Sequence, residues 1–453
     1  MDKHIRRSIA IWDTIENYMQ RSRAWRKLKA AAVVHGLIGC GKTSFLIDYF
    51  KEKKHFYFSF AGLEESVAER LFTEKVSAVT GKTVTNWDEA FVAISKAYNY
   101  IILDDLAPIA SYKRFKDSYY DNMCRDFHAR PLVFLIAQPG DNLDGLTDDS
   151  DQIDVDYFTV PEVIKLFPKL SKYDILGLSA VSGGIPKIMK EYDAQKTFED
   201  NLRAFFTPDS AFVGFMPYLM EIYFRKPEIY YYILYAIAHG NHKISDIGKF
   251  TGFAYNKCDN YVSALVSAGI VKAEKEKSKH GTEKTAYVLT NSYFRLWYLY
   301  VYQNRTELAI GSGEVIEGIV KSIIEKEIHA FHLQRAFAYV NDAMRGISLW
   351  ASFRITEKIV HAHKTVKKDG FSYTFDAIHR NGEKAVFVKV FDDPLENCKQ
   401  DEFEKIQKAV MLANKYYDSH VFIFAKRRFS DYAARQAPND ESLSLVEVDR
   451  LKF

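Results

Sequence analysis

The chain has 453 residues, 47% of them hydrophobic and 27% charged, an ordinary globular composition with room for about two to four domains. Its formal net charge of +3 is too small to require a nucleic-acid or membrane partner, so any basic binding surface must be local. The four cysteines are scattered without a CxxC pair, which argues against zinc and against a disulfide framework and indicates a reducing compartment.

The pattern of the first 30 residues predicts a charged amphipathic helix, followed by a segment that leads into the first strand. They lack the apolar core of a signal peptide. No apolar run in the sequence approaches the roughly 18 to 20 residues that span a bilayer. We therefore expect a soluble, cytoplasmic protein.

Five short apolar runs separated by helical patterns come next, at residues 31–36, 55–60, 100–106, 131–138 and 152–158. Their apolarity is continuous rather than alternating, which is typical of strands buried on both faces. The sequence therefore predicts an α/β fold with a parallel sheet between helices.

The stretch GLIGCGKTS after the first run carries a phosphate-loop pattern, G-x-x-x-x-G-K-[ST], and lies between a predicted strand and a predicted helix. Glycines allow backbone N–H groups to approach phosphate oxygens, and the helix N-terminus favours an anion. Lys42 is expected to reach the β- and γ-phosphates, and the Thr43 hydroxyl to ligate Mg²⁺. The predicted nucleotide contacts in this loop are Gly36, Gly39, Cys40, Gly41, Lys42, Thr43 and Ser44.

Polar residues follow the third and fourth runs. Asp104 ends the run YIILDDL and is predicted to hold the magnesium ion. Asp105 is the candidate base that orients the attacking water, although it can equally cap a turn. Gln138 is a candidate sensor of the γ-phosphate or an ordinary strand-end residue. We predict catalytic roles for Lys42, Asp105 and Gln138.

Beyond residue 226 the pattern changes to short helices followed by two strand-like pieces. Residues 244–249, the turn TGFA and residues 255–268 have the spacing of a helix-turn-helix, and KAEKEKSKHGTEK is typical of a wing. The outward residues Tyr255, Asn256, Lys257 and Asn260 suit phosphates or base edges. Contact with DNA and contact with protein both remain open, because glutamates alternate with the lysines of the wing.

With these residues in place, the chain resembles the archaeal-type ATPase family, a branch of the AAA+/STAND-like P-loop ATPases. The resemblance extends over nearly the whole chain and is carried by GLIGCGKTS, FYFSFAGLEES, IILDDL, TVPEVIKLFP, SGGIPKIMKEY, YVSALVSAGIVKAE and YVLTNSYFRLWYLYV. It implies a P-loop NTPase core with a helical lid, then a winged helix, then an α/β restriction-endonuclease-like domain.

The resemblance also implies domain boundaries and lid residues. The expected domains are a core at 1–160, a lid at 161–222, a winged helix at 223–292 and a nuclease-like domain at 293–453. Gly184 and Pro186 would shape the lid over the nucleotide base, with Lys187 near the phosphates. The same residues also suit simple helix punctuation, in which glycine ends one helix and proline begins the next.

The sequence departs from the family around the nucleotide. Relatives usually have Glu where this chain has Asp105, and the shorter side chain predicts slow turnover. After the fourth strand, relatives often have GRR or GRT. This chain has GLT at residues 145–147, so the expected arginine is missing. Arg114, Arg125 and Arg130 are the candidates to substitute for it.

The C-terminal region departs further. Asp376 and Lys389 remain from the nuclease pattern, but Phe387 and the pair Phe337-Ala338 stand where carboxylates are expected. Because Mg²⁺ needs hard oxygen ligands, we expect no magnesium site and no nuclease activity there, with Asp376 and Lys389 left as a surface pair or packing detail.

The function that follows is an ATP-binding protein, a slow Mg²⁺-dependent ATPase or ATP-driven switch coupled to the winged helix and an inactive nuclease-like domain. The alternative is a nucleotide-gated DNA-binding or signalling module without significant hydrolysis. Further partners are a protein or a second copy of the chain, with no membrane.

Overall fold

The computed structural model describes residues 31–124, 131–147, 150–277, 283–346, 359, 361–391, 398–425 and 429–447. The predicted helix within residues 1–30, together with Arg125, Arg130 and the wing residues 278–282, lies outside these ranges. The chain forms two compact units. The first comprises Met1–Glu162, Ser182–Tyr192 and Phe205–Ile310, and the second comprises Val163–Val181, Asp193–Ala204 and Gly311–Phe453.

The strands of the described residues, in chain order, are β1 Ala31–His35, β2 His55–Ser59, β3 Tyr100–Asp104, β4 Leu132–Ala137, β5 Ser150–Asp154, β6 Val271–Lys277, β7 Glu283–Leu289, β8 Lys364–Lys368, β9 Phe371–Phe375, β10 Ala377–Asn381, β11 Lys384–Phe391, β12 Ser419–Ala425 and β13 Leu443–Glu447.

The α-helices are α1 Lys42–Phe50, α2 Glu65–Thr80, α3 Trp87–Ala97, α4 Lys113–Tyr119, α5 Val160–Leu166, α6 Lys172–Ser182, α7 Pro186–Met189, α8 Phe198–Phe205, α9 Ala211–Tyr223, α10 Glu228–Ala238, α11 Ile244–Thr251, α12 Tyr255–Ser267, α13 Ser292–Leu296, α14 Arg305–Ala309, α15 Gly313–Ser322, α16 His329–Gly346, α17 Gln400–Ala413 and α18 Asp431–Gln436. Wider π-type turns continue α4, α13 and α15 over Tyr120–Cys124, Trp297–Tyr302 and Ile323–Ile328. Among the helices described, none is long and apolar enough to cross a bilayer.

The first unit is built on a five-stranded parallel sheet with the order β2-β3-β4-β1-β5. The three inner strands are buried almost throughout, as their continuous apolarity predicts. Strand β5 lies at one edge, and of its residues SDQID only Ser150 and Ile153 are buried. The predicted run 152–158 begins two residues late, because the polar first residues of this edge strand carry no apolar signal. All five strands end at the same edge of the sheet, which collects their final residues.

An aromatic cluster fills the space between the sheet and the helices α2, α3 and α4. Phe72 on α2 is fully buried. Its ring centroid lies 5.1 Å from Phe58 on β2 and 5.2 Å from both Trp87 and Phe91 on α3. Edge-to-face and tilted pairs of this kind stabilise a core beyond their buried area. The high aromatic content of the chain is used here for packing.

Helix α9 contains Pro217, and side chains from the region of α13 replace its missing hydrogen bonds. Pro217 has no N–H to donate to the carbonyl of Val213, and the indole Nε1 of Trp297 donates to that carbonyl at 3.0 Å instead. One turn away, the Tyr293 hydroxyl accepts from the amide of Met216 at 3.0 Å and donates to the carbonyl of Phe212 at 2.8 Å. The aromatic residues of YFRLWYLYV thus complete the backbone of α9.

The second unit contains a mixed four-stranded sheet, β10-β11-β12-β13, and a separate β8–β9 hairpin. Strands β10 and β11 are antiparallel, and the other two pairs are parallel. The sequence predicts one strand over 371–379, but the structure divides it at Asp376. There the amide of Val390 donates to the Asp376 carboxylate at 2.8 Å. Before Asp376, strand β9 pairs with β8, and after it, strand β10 pairs with β11.

We expect Phe72→Ala to lower the free energy of unfolding by about 3 to 5 kcal/mol, because the cavity it leaves is surrounded by rigid rings. Chemical denaturation followed by circular dichroism measures the change. The matched control is Val79→Ala on the exposed side of the same helix, where Val79 is 39% exposed, with an expected change within about 0.5 kcal/mol. Equal losses in the two variants would contradict this description of the core.

Candidate functional site

The loop between β1 and α1 is held by close backbone approaches. Gly41 has φ +87°, a left-handed conformation that favours glycine, and immediately precedes the first residue of α1. A Cβ atom on Gly39 would lie 2.6 Å from the Phe215 ring of α9. Substitution is therefore restricted both by backbone conformation and by a neighbouring helix. The loop is placed as phosphate-binding loops are, between a buried strand and a helix N-terminus.

Lys42 is buried at the start of α1, and its ammonium group turns back onto the loop. It donates to the carbonyls of Gly36 at 2.5 Å and Leu37 at 3.0 Å. Burial lowers the pKa of Lys42, and the nearby groups Cys40, Asp104, Asp141 and Asp105 partly oppose this effect. A buried cation beside a helix N-terminus is suited to a strongly anionic ligand.

Thr43 and Asp104 are joined by a short hydrogen bond. The Thr43 hydroxyl donates to Asp104 Oδ2 at 2.6 Å, although β4 lies between the strand before the loop and the strand that ends in Asp104. Tyr57 on β2 also donates to Oδ2, at 3.2 Å. Burial raises the pKa of the Asp104 carboxyl, and the hydrogen bond from Thr43 opposes that shift. Tyr57 could not be predicted as part of the site, because its position in an apolar strand carries no signal for one.

Asp105 and Gln138 come together at the ends of β3 and β4. Asp105 has φ +54°, and its carboxylate accepts from the Ser59 hydroxyl at 2.8 Å. Gln138 Nε2 donates a long hydrogen bond of 3.4 Å to the other oxygen of Asp105. The two predicted catalytic side chains are therefore neighbours, and each oxygen of Asp105 has a partner on an adjoining strand end.

Asp141 is a third carboxylate at this edge and was also missed. Its side chain accepts from the backbone amide of Gln138 at 2.8 Å, closing the turn QPGD after β4. Burial raises the pKa of Asp141, and this is opposed by the Gln138 hydrogen bond and by Lys42. The turn residues Pro and Gly before it were the available signal, but they indicate only a turn.

A cavity of about 1130 Å³ opens above these residues. Its polar end is formed by the loop and the strand ends, including Thr43, Ser44, Asp104, Asp105 and Gln138. Helices α7, α9 and α12, with the residues at their ends, contribute Pro186, Lys187, Lys190, Tyr218, Ile222, Tyr223, Ala264, Ser267 and Ala268. A cavity with convergent polar groups at one end is typical of a ligand site.

Three of the predicted contact residues do not line this cavity. Gly36 packs against β5, where an added Cβ would lie 2.0 Å from the Val155 carbonyl oxygen. Cys40 is fully buried. Gly184 accepts a hydrogen bond of 2.9 Å from the Phe158 amide. Pro186 does line the cavity and begins α7. Lys187 also lines it, with its ammonium 4.7 Å from the centre of the Tyr218 ring.

The candidate DNA-contacting residues are exposed at the start of α12. Tyr255, Asn256, Lys257 and Asn260 all face solvent, while Val262 and Leu265 of the same helix are buried. Val266 is only partly buried, whereas Cys258 of the same helix is fully buried. The Lys257 ammonium lies 4.1 Å from the centre of the Phe253 ring.

Comparisons with known proteins give weak likenesses. None of the protein-family models matches the chain. An uncharacterized protein of Methanocaldococcus jannaschii is 24% identical over 159 residues, which is 34% of this chain and 35% of the relative. The match thus spans about a third of the length of that relative.

Several solved structures have a partly similar arrangement of elements. The Walker-type ATPase of Pyrococcus abyssi is 13% identical, with 66% of this chain and 97% of that chain covered and a TM-score of 0.46. The ORC1 protein of Aeropyrum pernix, in complex with DNA, is 14% identical over 72% and 94% of the chains, with a TM-score of 0.31. AMPPCP-bound DnaA of Aquifex aeolicus is 13% identical over 57% and 89%, with a TM-score of 0.30.

The fold itself is identified by the sheet and the loop of this chain. A parallel five-stranded sheet, a glycine-rich loop from β1 into α1 and an Asp at the end of β3 form the α/β fold of P-loop NTPases. A mixed α/β unit contributes the later part of the chain. The predicted fold class is confirmed, while the likeness to the archaeal-type ATPase family stays a prediction.

We expect Asp104→Asn to raise the melting temperature at neutral pH. Because burial raises the pKa of Asp104, the folded protein holds the acid form more tightly than the unfolded chain does. The ionised carboxylate therefore opposes folding at neutral pH, and that penalty disappears as the pH falls below the ordinary aspartate value of about 3.9. Thermal melts without nucleotide, at neutral and acidic pH, measure the difference.

The control for this experiment is Asp117→Asn on α4, whose side chain is exposed. Its melting temperature is expected to stay close to that of the unchanged protein at both pH values. A lower melting temperature for Asp104→Asn at neutral pH would show that the carboxylate stabilises the empty loop after all.

Proposed function

We propose that the chain binds ATP with Mg²⁺ at the β1–α1 loop and hydrolyses it slowly, as a switch. The observation that carries this proposal is the 2.6 Å hydrogen bond from Thr43 to Asp104 beside the buried Lys42, at the polar end of the cavity. A hydroxyl and a carboxylate held together are hard oxygen ligands of the kind Mg²⁺ prefers. The preference for ATP over GTP rests on the family resemblance.

The donor set fits magnesium. Asp104 is buried and its charge is disfavoured by desolvation, so a cation bound there would restore the ionised form. Thr43 and Asp104 would hold the ion, with water completing its coordination. When bound, Mg²⁺ neutralises charge on the phosphate oxygens.

The residues of this chain supply the remaining parts of an in-line attack. Lys42 would exchange its loop carbonyls for the β- and γ-phosphate oxygens. Asp105 would orient the attacking water, with Gln138 beside it. Arg114 is paired with Glu69 at 3.4 Å, and no arginine of the described residues lines the cavity. Without an arginine to stabilise the transition state, slow turnover is the expected result.

The second candidate function is nucleotide-gated binding without significant hydrolysis. It is favoured by the partners of Asp105, because Ser59 and Gln138 occupy both carboxylate oxygens. A carboxylate held in this way is poorly available to a water molecule unless the nucleotide displaces Gln138. In this case contact with the γ-phosphate alone would distinguish ATP from ADP.

We also propose the lid, winged-helix and nuclease-like domains that follow the core. We assign 161–222 to a helical lid, with Pro186 and Lys187 over the nucleotide, and 293–453 to a nuclease-like domain without magnesium-dependent cleavage. Where carboxylates are expected, Phe387 is a buried apolar residue, and Ala338, which follows the buried Phe337 on α16, is exposed. The 223–292 segment is assigned to a winged helix, supported by α11, α12 and the antiparallel pair β6–β7.

Phosphate release from Mg-ATP separates the two candidate functions. The ATPase proposal predicts steady release that falls to background in Lys42→Ala and drops at least about tenfold in Asp105→Asn, with nucleotide binding retained in the latter. Isothermal titration with Mg-ATP gives the affinities. Lys51→Ala, at the exposed end of the same helix, should match the unchanged protein. Tight binding with release no faster than in Lys42→Ala would leave only the switch without hydrolysis.

We further propose that α12 contacts DNA and that nucleotide controls this contact. Its first turn exposes the polar residues already named, while its last residues, Ala264 and Ser267, line the nucleotide cavity. Gly140, which follows Gln138 and Pro139, lies close enough to Ser267 that an added Cβ would be 3.5 Å from the Ser267 carbonyl oxygen. One helix therefore connects the cavity with the exposed surface.

Fluorescence anisotropy with a labelled duplex tests the DNA proposal. Lys257→Ala should weaken binding and reduce the slope of log affinity against log salt by about 1, as expected for one phosphate contact. The double variant Asn256→Ala/Asn260→Ala should weaken binding without changing that slope. Ser263→Ala, on the exposed side of the same helix, serves as the control. If both Lys257→Ala and the double variant bind DNA as tightly as the Ser263→Ala control, the result would favour a protein contact instead.

A further inference from the structure

Two histidines and an aspartate converge in the second unit, within a group that has no part in nucleotide binding. His361 and His363 precede β8, and Asp376 lies at the corner between β9 and β10. Asp376 Oδ1 is 4.0 Å from His361 Nε2 and 3.7 Å from His363 Nδ1. One nitrogen or oxygen atom from each of the three residues lies within 4.8 Å of the other two.

The Asp376 carboxylate is fixed by the backbone around it. It is buried, and its Oδ2 accepts from the Val390 amide at 2.8 Å, which leaves Oδ1 for the imidazoles. The Asp376 amide donates to the Val388 carbonyl at 2.9 Å. Of the two expectations for Asp376, a surface pair or a packing detail, its burial at the corner of the sheet fits the second.

The segment that carries the histidines is held at two points. The Ala362 amide, between the two histidines, donates to the Asp376 carbonyl at 2.9 Å. The side chain of Asn341 on α16 exchanges two hydrogen bonds with the backbone of Ile359, at 2.8 and 2.9 Å. A segment with anchors at 359 and 362 holds His361 and His363 near the carboxylate without a bound ion.

A third histidine lies in the same electrostatic environment. His329 begins α16, and burial lowers its pKa. Asp376 opposes this shift, whereas His361, His363 and Lys389 add to it. His329 is outside the group of three side chains whose ligand atoms converge.

We propose that His361, His363 and Asp376 bind a divalent transition-metal ion of the Zn²⁺ class. Imidazole nitrogen with carboxylate oxygen suits zinc, cobalt or nickel, whereas magnesium requires oxygen ligands. Zn–N and Zn–O bonds of about 2.0 to 2.2 Å place tetrahedral ligands about 3.4 Å apart. The contraction from 3.7 and 4.0 Å is small, and His363, which is exposed, can rotate to achieve it.

Three protein ligands leave one tetrahedral position open for water or another small ligand, as in catalytic rather than structural zinc sites. The scattered cysteines argue against a zinc site made of thiolates, but histidines and an aspartate supply the ligands here. Phe387 and Ala338 stand where the nuclease pattern expects carboxylates. The proposed site would therefore have a metal preference different from that of a magnesium site.

The test uses the full-length protein after removal of metals with a chelator. Titration calorimetry with Zn²⁺, and absorption spectroscopy with Co²⁺, should show one ion per chain and the visible bands of tetrahedral cobalt. His363→Ala and Asp376→Asn should each weaken binding by more than about tenfold, since loss of even an outer-shell partner costs about 10- to 100-fold. Asn at 376 can still accept the hydrogen bond from Val390, so folding should be retained.

The matched control is His379→Ala on β10, a half-buried histidine of the same sheet that is outside the cluster. Its Zn²⁺ affinity should equal that of the unchanged protein. His363 is exposed, so His363→Ala is expected to fold, and circular dichroism checks this. Unaltered affinity in a folded His363→Ala protein, or substantially less than one bound ion per chain, would overturn the proposal.

Discussion

The hydrogen bond from Thr43 to Asp104 is the contact on which the arrangement of the sheet edge beside the β1–α1 loop depends. It connects the loop after β1 with the end of β3 across an intervening strand, at 2.6 Å. Parallel strands end at one edge, so the loop, Asp105 and Gln138 are all placed relative to this contact. Because the Asp105 amide donates to Asp104 Oδ1 at 2.9 Å, the same carboxylate also orients its neighbour.

Charge at this edge is unbalanced. Three carboxylates, Asp104, Asp105 and Asp141, face one buried ammonium, that of Lys42. Burial raises the pKa of the Asp104 and Asp141 carboxyls and lowers that of Lys42, so the surrounding protein disfavours the ionised forms of these three groups. Adding a divalent cation and a polyphosphate would supply the missing charges of both signs, which is why the edge is better understood as part of a complex than as a structural ion network.

Sequence patterns predicted the elements whose structure is determined by the residues of one continuous stretch of chain. Continuous apolarity identified the strands, and the glycine pattern identified the loop, because both follow from one stretch of chain. Tyr57 and Asp141 were missed because their roles arise from strand order, which brings β2 and the β4 turn beside Asp104 and Lys42. The corner at Asp376 was missed for a similar reason: the donor that breaks the strand there, the Val390 amide, comes from β11.

Helix α9 receives backbone hydrogen bonds from the aromatic motif YFRLWYLYV, which lies far along the chain. Pro217 removes a backbone donor, and Trp297 and Tyr293 complete the hydrogen bonds of the helix from about 80 residues away. The same helix presses Phe215 against Gly39 and contributes Tyr218 and Tyr223 to the cavity. Because its backbone bonds pass through side chains of the α13 region, α9 cannot shift at the cavity without moving Tyr293 and Trp297 or breaking those bonds. The aromatic motif therefore supports a helix that forms one side of the cavity, even though the motif itself lies outside the cavity.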